Sequence, residues 1–265
     1  MSFKIMGILN ATPDSFSDGD SNNTPHILFQ RAIEMIEKGA DIIDIGGETT
    51  KPFSDPTPPD IELQRVLPVL KLIKQNFPNI TTSIDTRKYE VAEECLKAGA
   101  DMINDVSGLQ HNPEIAELVA KYDASLVIMH SKETPKTMQN APTYNDVVAE
   151  VYAFLDEKIK FAREKGVKNI IADVGIGFAK TTQHNITLLN NLSHFRALKV
   201  PLLLGISRKR FIGEITGISE PKERDTATML FHSYLQANNP VDIIRVHNVP
   251  LAVEFRSVFI NFNKN

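Results

Sequence analysis

Short apolar runs alternate with longer amphipathic stretches along the whole chain, and most of the apolar runs end in a burst of polar residues. The runs are hydrophobic at consecutive positions, which is typical of strands buried on both faces of a parallel sheet. We therefore predict eight strands, at 3–9, within 41–50, and at 80–84, 102–103, 126–129, 169–172, 201–204 and 242–244.

The stretches between these runs repeat their apolar residues at helical spacing, and two of them end at a glycine. They predict helices at 25–39, 61–76, 88–98, 113–121, 144–165, 185–198, 225–237 and 250–260. Strands that alternate with helices in this order predict an α/β protein with a parallel sheet. Eight such units favour a (β/α)8 TIM barrel over an open sheet. Because no linker or shift in composition divides the chain, we predict a single domain over residues 1–265.

Composition and charge exclude several classes of protein. The formal charge of −4 and the pI near 6.0 argue against a nucleic-acid binder, but they allow a local basic pocket for a phosphorylated small molecule. We find no long uncharged apolar span and no secretory leader, so we expect a cytoplasmic protein that does not bind membranes. The single cysteine, Cys95, lies in a predicted helix, and we interpret it as a packed, inert thiol.

The polar bursts that follow the strands hold most of the residues suited to chemistry. In barrel enzymes the loops after the strands converge on one mouth. A polar residue at such a position can also simply mark where a strand reaches the surface. Amides, carboxylates and cations together favour an active site, and the candidates are Asn10, Glu48, Thr50, Asp85, Asn104, His130, Asp173, Ser207, Lys209, Arg245 and His247.

Asp85, Asn104 and Asp173 form a group of carboxylates and an amide. No second histidine lies close to them in sequence, which makes a metal site a poor interpretation. A neutral heterocycle with an amide–amine edge suits them better, because a carboxylate can accept two parallel N–H bonds. The alternative for Asp85 is that it caps the helix that follows.

Arg245, His247 and Asn10 form a second group, because barrel closure would bring the exit of the eighth strand beside that of the first. Together they can bind a diphosphate and an associated Mg²⁺, which prefers oxygen ligands. The alternative for Arg245 is a pairing with a nearby carboxylate. Phe178, in a loop of small residues, can stack on an aromatic ligand or plug the barrel mouth.

At these positions the chain resembles the dihydropteroate synthase family of pterin-binding barrels. The matching segments lie at 6–19, 44–50, 83–86, 103–106, 173–178, 207–209 and 244–247, and they span nearly the whole chain. The first segment, MGILNATPDSFSDG, and the Ser-Arg-Lys segment are highly specific in combination. The resemblance implies an enzyme of folate biosynthesis in which 4-aminobenzoate displaces diphosphate from (7,8-dihydropterin-6-yl)methyl diphosphate, giving 7,8-dihydropteroate. It further implies Mg²⁺ as the cofactor and a homodimer.

The resemblance also implies roles for individual residues. The catalytic residues would be Asp85, Asp173 and Lys209. The same three side chains would bind the pterin together with Asn104 and Met129. Diphosphate would be held by Asn10, Arg245 and His247, with Asn10 also a ligand of the metal. The aminobenzoate pocket would be lined by Thr50, Lys51, Pro52, Phe178 and Ser207.

We expect a dissociative displacement at this site. Neutralising the charge of the diphosphate makes it a good leaving group, and the departing methylene shares positive charge with the electron-rich ring. Asp85 and Asp173 would stabilise that cation. The arylamine is neutral at pH 7 and needs no strong base, and the loops after Asn10 and Thr50 would close to exclude water.

Several positions depart from the family pattern. Lys51 replaces a usual arginine, Val174 a usual proline and Ala179 a usual glycine, and 131–133 departs from a Met-Gln-Gly-like run. Lys51 and the altered turn around Phe178 favour one rival interpretation, a catalytically silent paralogue that only binds pterin. A second rival is a pterin-binding barrel that transfers methyl from methyltetrahydrofolate to a corrinoid, which has no use for the diphosphate group of residues.

Overall fold

The computed structural model describes residues 3–12, 24–49, 55–132 and 143–262, in which eight parallel strands close into a barrel in chain order. The strands are β1 Lys4–Asn10, β2 Ile42–Gly46, β3 Thr81–Asp85, β4 Met102–Asp105, β5 Ser125–Met129, β6 Asn169–Asp173, β7 Leu202–Leu204 and β8 Ile243–Val246. Pairing of β1 with β8 closes the sheet and sets Met6 opposite Arg245. The predicted single-domain (β/α)8 barrel is confirmed.

Helices connect the strands and cover the outside of the barrel. In the part of the chain that the structure describes they are α1 Pro25–Glu37, α2 Pro59–Asn76, α3 Tyr89–Lys97, α4 Ile115–Lys121, α5 Val147–Glu164, α6 Thr182–Asn190, α7 Arg210–Thr216, α8 Asp225–Asn238 and α9 Val249–Phe262. Two 3₁₀ helices lie at Leu192–Leu198 and Pro221–Arg224. None of these helices combines the length and the apolar character needed to cross a membrane.

Two helical segments differ from the prediction. The helix predicted at 185–198 is split into α6 and a 3₁₀ helix, and α7 was not predicted at all. α7 is short and contains Gly213, a residue that ordinarily weakens a helix. The glycine is required there because a Cβ would lie 2.6 Å from the carbonyl oxygen of Ile218.

Inside the barrel, an apolar layer lies below a polar one. Seven strands each contribute one residue to the inner apolar cluster, namely Met6, Ile42, Met102, Val127, Ile171, Leu203 and Ile243. Side chains alternate along a strand, so the residue two positions later faces the same interior. Those positions are Ile8, Asp44, Asn104, Met129, Asp173, Gly205 and Arg245. The carboxyl ends of the strands therefore form a mouth that is lined mainly with polar groups.

Cys95 lies on α3 and is fully buried. Burial raises the pKa of its thiol to about 12, and the neighbouring Glu62 and Glu94 carboxylates add to the effect. A thiol with so high a pKa is not ionised at neutral pH, which agrees with the interpretation of Cys95 as inert.

Candidate active site

Arg245 on β8 lies at the barrel mouth and binds carboxylates from two other strands, β2 and β3. Its Nε donates to Oδ2 of Asp44 at 2.6 Å, and its Nη2 donates to Oδ2 of Asp85 at 2.8 Å. Asn104 donates from Nδ2 to the same oxygen of Asp44 at 3.1 Å. The alternative in which Arg245 pairs with a carboxylate is thus correct. Its partners, Asp44 and Asp85, lie in the candidate site itself, so the pairing does not remove Arg245 from that site. The alternative in which Asp85 caps α3 is wrong, since no described side chain caps that helix.

Asp44 was not predicted as a site residue. It is fully buried, and its Oδ1 has no hydrogen-bond partner among the described residues. An unpaired buried carboxylate oxygen is costly, which makes it a ready acceptor for an N–H group of a ligand. A signal was present in the sequence, because Asp44 follows the apolar Ile42 by two positions and so shares its inward face.

The pKa of Asp85 is raised, although the carboxylate shares the Arg245 guanidinium with Asp44. Burial is the largest cause, and the negative charges of Asp44, Glu62 and Glu48 add to it, while Arg245 counteracts them. The resulting pKa is about 7, against an ordinary value of 3.8. Asp85 therefore changes its protonation state near neutral pH.

Asp173, Lys209 and Phe178 meet at the exits of β6 and β7. Oδ1 of Asp173 accepts the backbone N–H of Gly175 at 2.8 Å. The Lys209 ammonium donates to the carbonyl of Ile176 and lies 4.5 Å from the centroid of the Phe178 ring. Burial lowers the pKa of Lys209 to about 8, while the Asp173 carboxylate opposes this change. Burial likewise raises the pKa of Asp173, against Lys209.

Two glycines show how closely the groups of the mouth approach one another. A Cβ on Gly46 would lie 3.6 Å from the Cβ of Asp85 and 3.9 Å from Oδ1 of Asn10. A Cβ on Gly205 would lie 3.9 Å from Oδ2 of Asp173 and from Cδ of Arg245. Asn10 thus lies beside Asp85, and Asp173 beside Arg245. The strand exits converge on one mouth, as the barrel prediction required.

Ser207 and His247 connect the exits of β7 and β8. The Ser207 hydroxyl lies 2.9 Å from Nδ1 of His247 and accepts the backbone N–H of His247 at 3.2 Å. The Ser207 hydroxyl therefore donates its hydrogen to Nδ1, and the ring hydrogen of His247 is on Nε2. Burial, together with Arg208 and Arg245, lowers the pKa of His247 to about 3, so the imidazole is neutral at pH 7.

Two other candidates, Glu48 and His130, make internal contacts. Glu48 accepts the backbone N–H of Thr57 at 2.8 Å and the Arg87 side chain at 3.2 Å, and Lys88 bridges it to the buried Glu62. His130 contacts Phe154 edge-on and Lys180 through Nδ1, while Met129 is opposite Asp173 in the register of β5 and β6. Thr50, Lys51 and Pro52 lie outside the described residues.

The known proteins to which this chain is similar belong to one family. Residues 6–247 match the family described as pterin binding enzymes. A dihydropteroate synthase from Synechocystis is 44% identical over 247 residues, which is 92% of this chain and 85% of the relative. The structure of Clostridium difficile dihydropteroate synthase in the presence of pteroic acid has a TM-score of 0.90 at 41% identity and covers 100% of this chain and 98% of that one. The Xanthomonas albilineans enzyme with 4-aminobenzoic acid has a TM-score of 0.92 at 38% identity, covering 100% and 94%.

Proposed function

The chain belongs to the family of pterin-binding enzymes as a dihydropteroate synthase, and on that premise we propose how its barrel mouth divides the work of the reaction. The enzyme joins a dihydropterin methyl diphosphate to 4-aminobenzoate and releases diphosphate, in folate biosynthesis. The observation that carries the division is the single mouth in which inward-facing acids and amides lie beside Arg245 and close to the Ser207–His247 pair.

The pterin ring would lie on the inner polar layer, against Asp85, Asn104, Asp173 and Lys209, with Met129 as an apolar wall. A pterin presents an amide–amine edge of N–H donors and one carbonyl, which matches two carboxylates, an amide and an ammonium. Oδ1 of Asp44, which has no partner among the described residues, supports this assignment, because it offers one more acceptor at the same depth. Asp85 and Asp173 would also stabilise positive charge that develops on the ring and its methylene.

The diphosphate would be bound by Asn10, Arg245 and His247. Arg245 supplies a permanent charge and a guanidinium fork, and the neutral His247 supplies a hydrogen-bond donor at Nε2. Among the described residues no cluster of three acidic, histidine or cysteine side chains forms a metal cage. The amide oxygen of Asn10 beside Asp85 nevertheless fits Mg²⁺, an ion that takes one or two protein oxygens together with substrate phosphates. When bound, the ion would neutralise charge on the leaving diphosphate.

4-Aminobenzoate would enter next to Phe178 and Ser207, and we propose Thr50, Lys51 and Pro52, which lie outside the described residues, as further contacts. The Lys209 ammonium lies 4.5 Å from the centroid of the Phe178 ring. An aromatic ligand at this place would therefore lie close to a cation. On the dissociative path the bond between the methylene and diphosphate breaks first, and the arylamine nitrogen then forms its bond to the methylene cation, which needs no strong base. The attacking nitrogen loses its proton once it carries positive charge.

The test is product formation by the purified protein with pterin diphosphate, 4-aminobenzoate and Mg²⁺. We expect dihydropteroate and diphosphate to appear together. An Asp173→Ala variant should bind the pterin at least about tenfold more weakly, because an unpaired polar edge of a ligand costs ~1–3 kcal/mol. Binding of the pterin diphosphate without turnover would favour the silent paralogue. Methyl transfer to a corrinoid would favour the second rival.

We further propose that the protein acts in the cytoplasm as a homodimer. Leu230 and Tyr234 are 67% and 58% exposed, and they are one turn apart on α8. Ile215 on the neighbouring α7 is 47% exposed. An apolar patch of this kind, away from the barrel mouth, supports an interface between two copies of the chain.

A further inference from the structure

The turn between β6 and α6, residues 173–180, is held in place largely by side chains. The N–H of Gly175 donates to Asp173, and the N–H of Gly177 donates to Oδ1 of Asn185, both at 2.8 Å. On the other side of the turn, the Tyr144 hydroxyl donates to the carbonyl of Ala179 at 3.0 Å. Gly175, Gly177 and Ala179 all have positive φ. The turn needs such external support, because left-handed backbone is unfavourable for Ala179.

Lys180 provides the largest part of this support. Its ammonium is 2.9 Å from the carbonyl of Gly175, 3.0 Å from that of Phe178 and 2.9 Å from Nδ1 of His130, with a longer contact of 3.5 Å to the His130 carbonyl. Burial lowers the pKa of Lys180, while the Asp173 carboxylate opposes this change. The geometry fits the ammonium form, because its three hydrogens match three close acceptors. Lys180 is only 3% exposed, so its hydrogens are used inside the protein.

The two lysines near this turn differ in what they can reach. Lys209 donates a hydrogen bond to the carbonyl of Ile176 and contacts the Phe178 ring. Its side chain is only partly buried at the mouth. Lys180 lies behind the turn, between it and His130, which directly follows β5. Burial lowers the pKa of His130 to about 2, with Lys180 adding to the effect, so the imidazole is neutral and can accept at Nδ1.

We propose that Lys180 is a positioning residue. Its ammonium fixes the turn between β6 and α6 so that Asp173 and Phe178 face the substrates. This inference rests on the proposed roles of those two residues. Lys180 acts through the carbonyls of Gly175 and Phe178 and does not touch a substrate. The diphosphate group of residues lies at the exits of β1 and β8, outside this turn.

The decisive variant is Lys180→Met, which keeps most of the side-chain length and removes the three donors. We expect the Kd of a pterin ligand and the Michaelis constant for aminobenzoate each to rise about tenfold or more, since hydrogen bonds from a charged donor are lost. The affinity for inorganic diphosphate, measured by calorimetry with Mg²⁺, should change less than about twofold because its site keeps its contacts. Lys160→Met, which removes an exposed ammonium on α5, is the matched control and should leave all three values unchanged.

A nitrogen NMR measurement adds a readout that general destabilisation does not move. In the wild-type protein, Nδ1 of His130 should show the shift of an acceptor and Nε2 that of a protonated nitrogen, and Lys180→Met should change this pattern. Lys180→Gln keeps two N–H donors and should recover part of the affinity for pterin and aminobenzoate. If Lys180→Met does not fold, this milder variant carries the test.

The inference is overturned if folded Lys180→Met keeps wild-type affinity for the pterin and an unchanged Michaelis constant. It is equally overturned if diphosphate affinity falls as much as pterin affinity, because the damage is then general. Failure of the proposed function looks different: the wild-type protein itself makes no dihydropteroate. Pterin binding is measured without turnover, so it tests Lys180 in that case as well.

Discussion

At the scale of single residues, the barrel mouth combines an acid and a base whose pKa values lie close to neutrality. Burial raises the pKa of Asp85 to about 7, and burial lowers that of Lys209 to about 8. In the proposed roles, Asp85 must be ionised to accept hydrogen bonds from the pterin, and Lys209 must be charged to donate them. The active fraction therefore grows as the pH rises through about 7 and shrinks as it rises beyond about 8.

We predict a narrow bell-shaped dependence of kcat/KM on pH, with its maximum between these two values. The measurement is a steady-state profile with the pterin substrate varied and aminobenzoate saturating. Asp85→Asn should lower activity and remove the acidic limb, leaving only the fall at high pH. A flat profile through the neutral range in the wild-type protein would contradict the assignment.

The raised pKa of Asp85 also makes the free energy of unfolding depend on pH. The folded protein binds the proton of Asp85 more tightly than the unfolded chain, in which the pKa is near 3.8. Between pH 3.8 and about 7 the folded state holds more protons at this group. The contribution of Asp85 to the free energy of unfolding is thus complete below this window and is lost as the pH rises through it.

Ala179 occupies its place in the turn after β6 with an unfavourable backbone. Its φ is +48°, in the left-handed region, which costs a residue with a Cβ ~1–2 kcal/mol. Glycine removes that cost but gives the unfolded chain more freedom, so Ala179→Gly should raise the free energy of unfolding by up to about 1 kcal/mol. Urea denaturation measures the change. Ala153→Gly, on the exposed face of α5, is the control and should lose about 1 kcal/mol.

At the scale of elements, Asp44 links four strands around the barrel mouth. It accepts hydrogen bonds from Arg245 on β8 and Asn104 on β4, and Arg245 extends the connection to Asp85 on β3. These contacts fix the strand exits relative to one another. The negative charge of Asp44 is also one of the causes that raise the pKa of Asp85.

Asp44→Asn should therefore do two things at once. Arg245 would be left with Asp85 as its one charged partner in this group, so the pKa of Asp85 should fall and the acidic limb of the pH profile should move to lower pH. Pterin affinity should drop about tenfold, since a buried charged hydrogen bond of ~1.5–3 kcal/mol is weakened. Titration of pterin binding against pH separates the two effects. An unchanged acidic limb would show that Asp85 does not respond to Asp44.

The elements of this fold differ in how far the sequence predicted them. The strands and their polar exits were predictable, because short runs of consecutive apolar residues that end in a polar burst recur along the chain. The pairing of Asp44 with Arg245 joins residues 201 positions apart, and nothing local marks it. Lys180 was missed for the same reason, since two of its three close acceptors are backbone carbonyls, and the third, Nδ1 of His130, is 50 positions away. α7 was missed because its seven residues are too few for a helical period to stand out.

At the scale of the whole molecule, the barrel mouth and the proposed dimer interface are on different surfaces. The mouth lies at the carboxyl ends of the strands, while the exposed apolar side chains Leu230 and Tyr234 lie on the helical wall. The ring contact between Phe211 and Phe231, 5.6 Å between centroids, joins α7 to α8 beneath this patch. A rigid pair of helices is a suitable base for a dimer interface, because little ordering is then needed on association.

We predict that Leu230→Asp converts the dimer to a monomer, because a charge buried at the centre of an apolar contact costs several kcal/mol. Light scattering on a size-exclusion column measures the mass. The variant should still bind diphosphate, since no strand exit changes. Val258→Asp is the control: Val258 is 58% exposed on α9, and its replacement should leave the mass unchanged if the interface is centred on α8. Loss of the dimer in Val258→Asp alone would place the interface on α9, and a monomeric wild-type protein would exclude the dimer altogether.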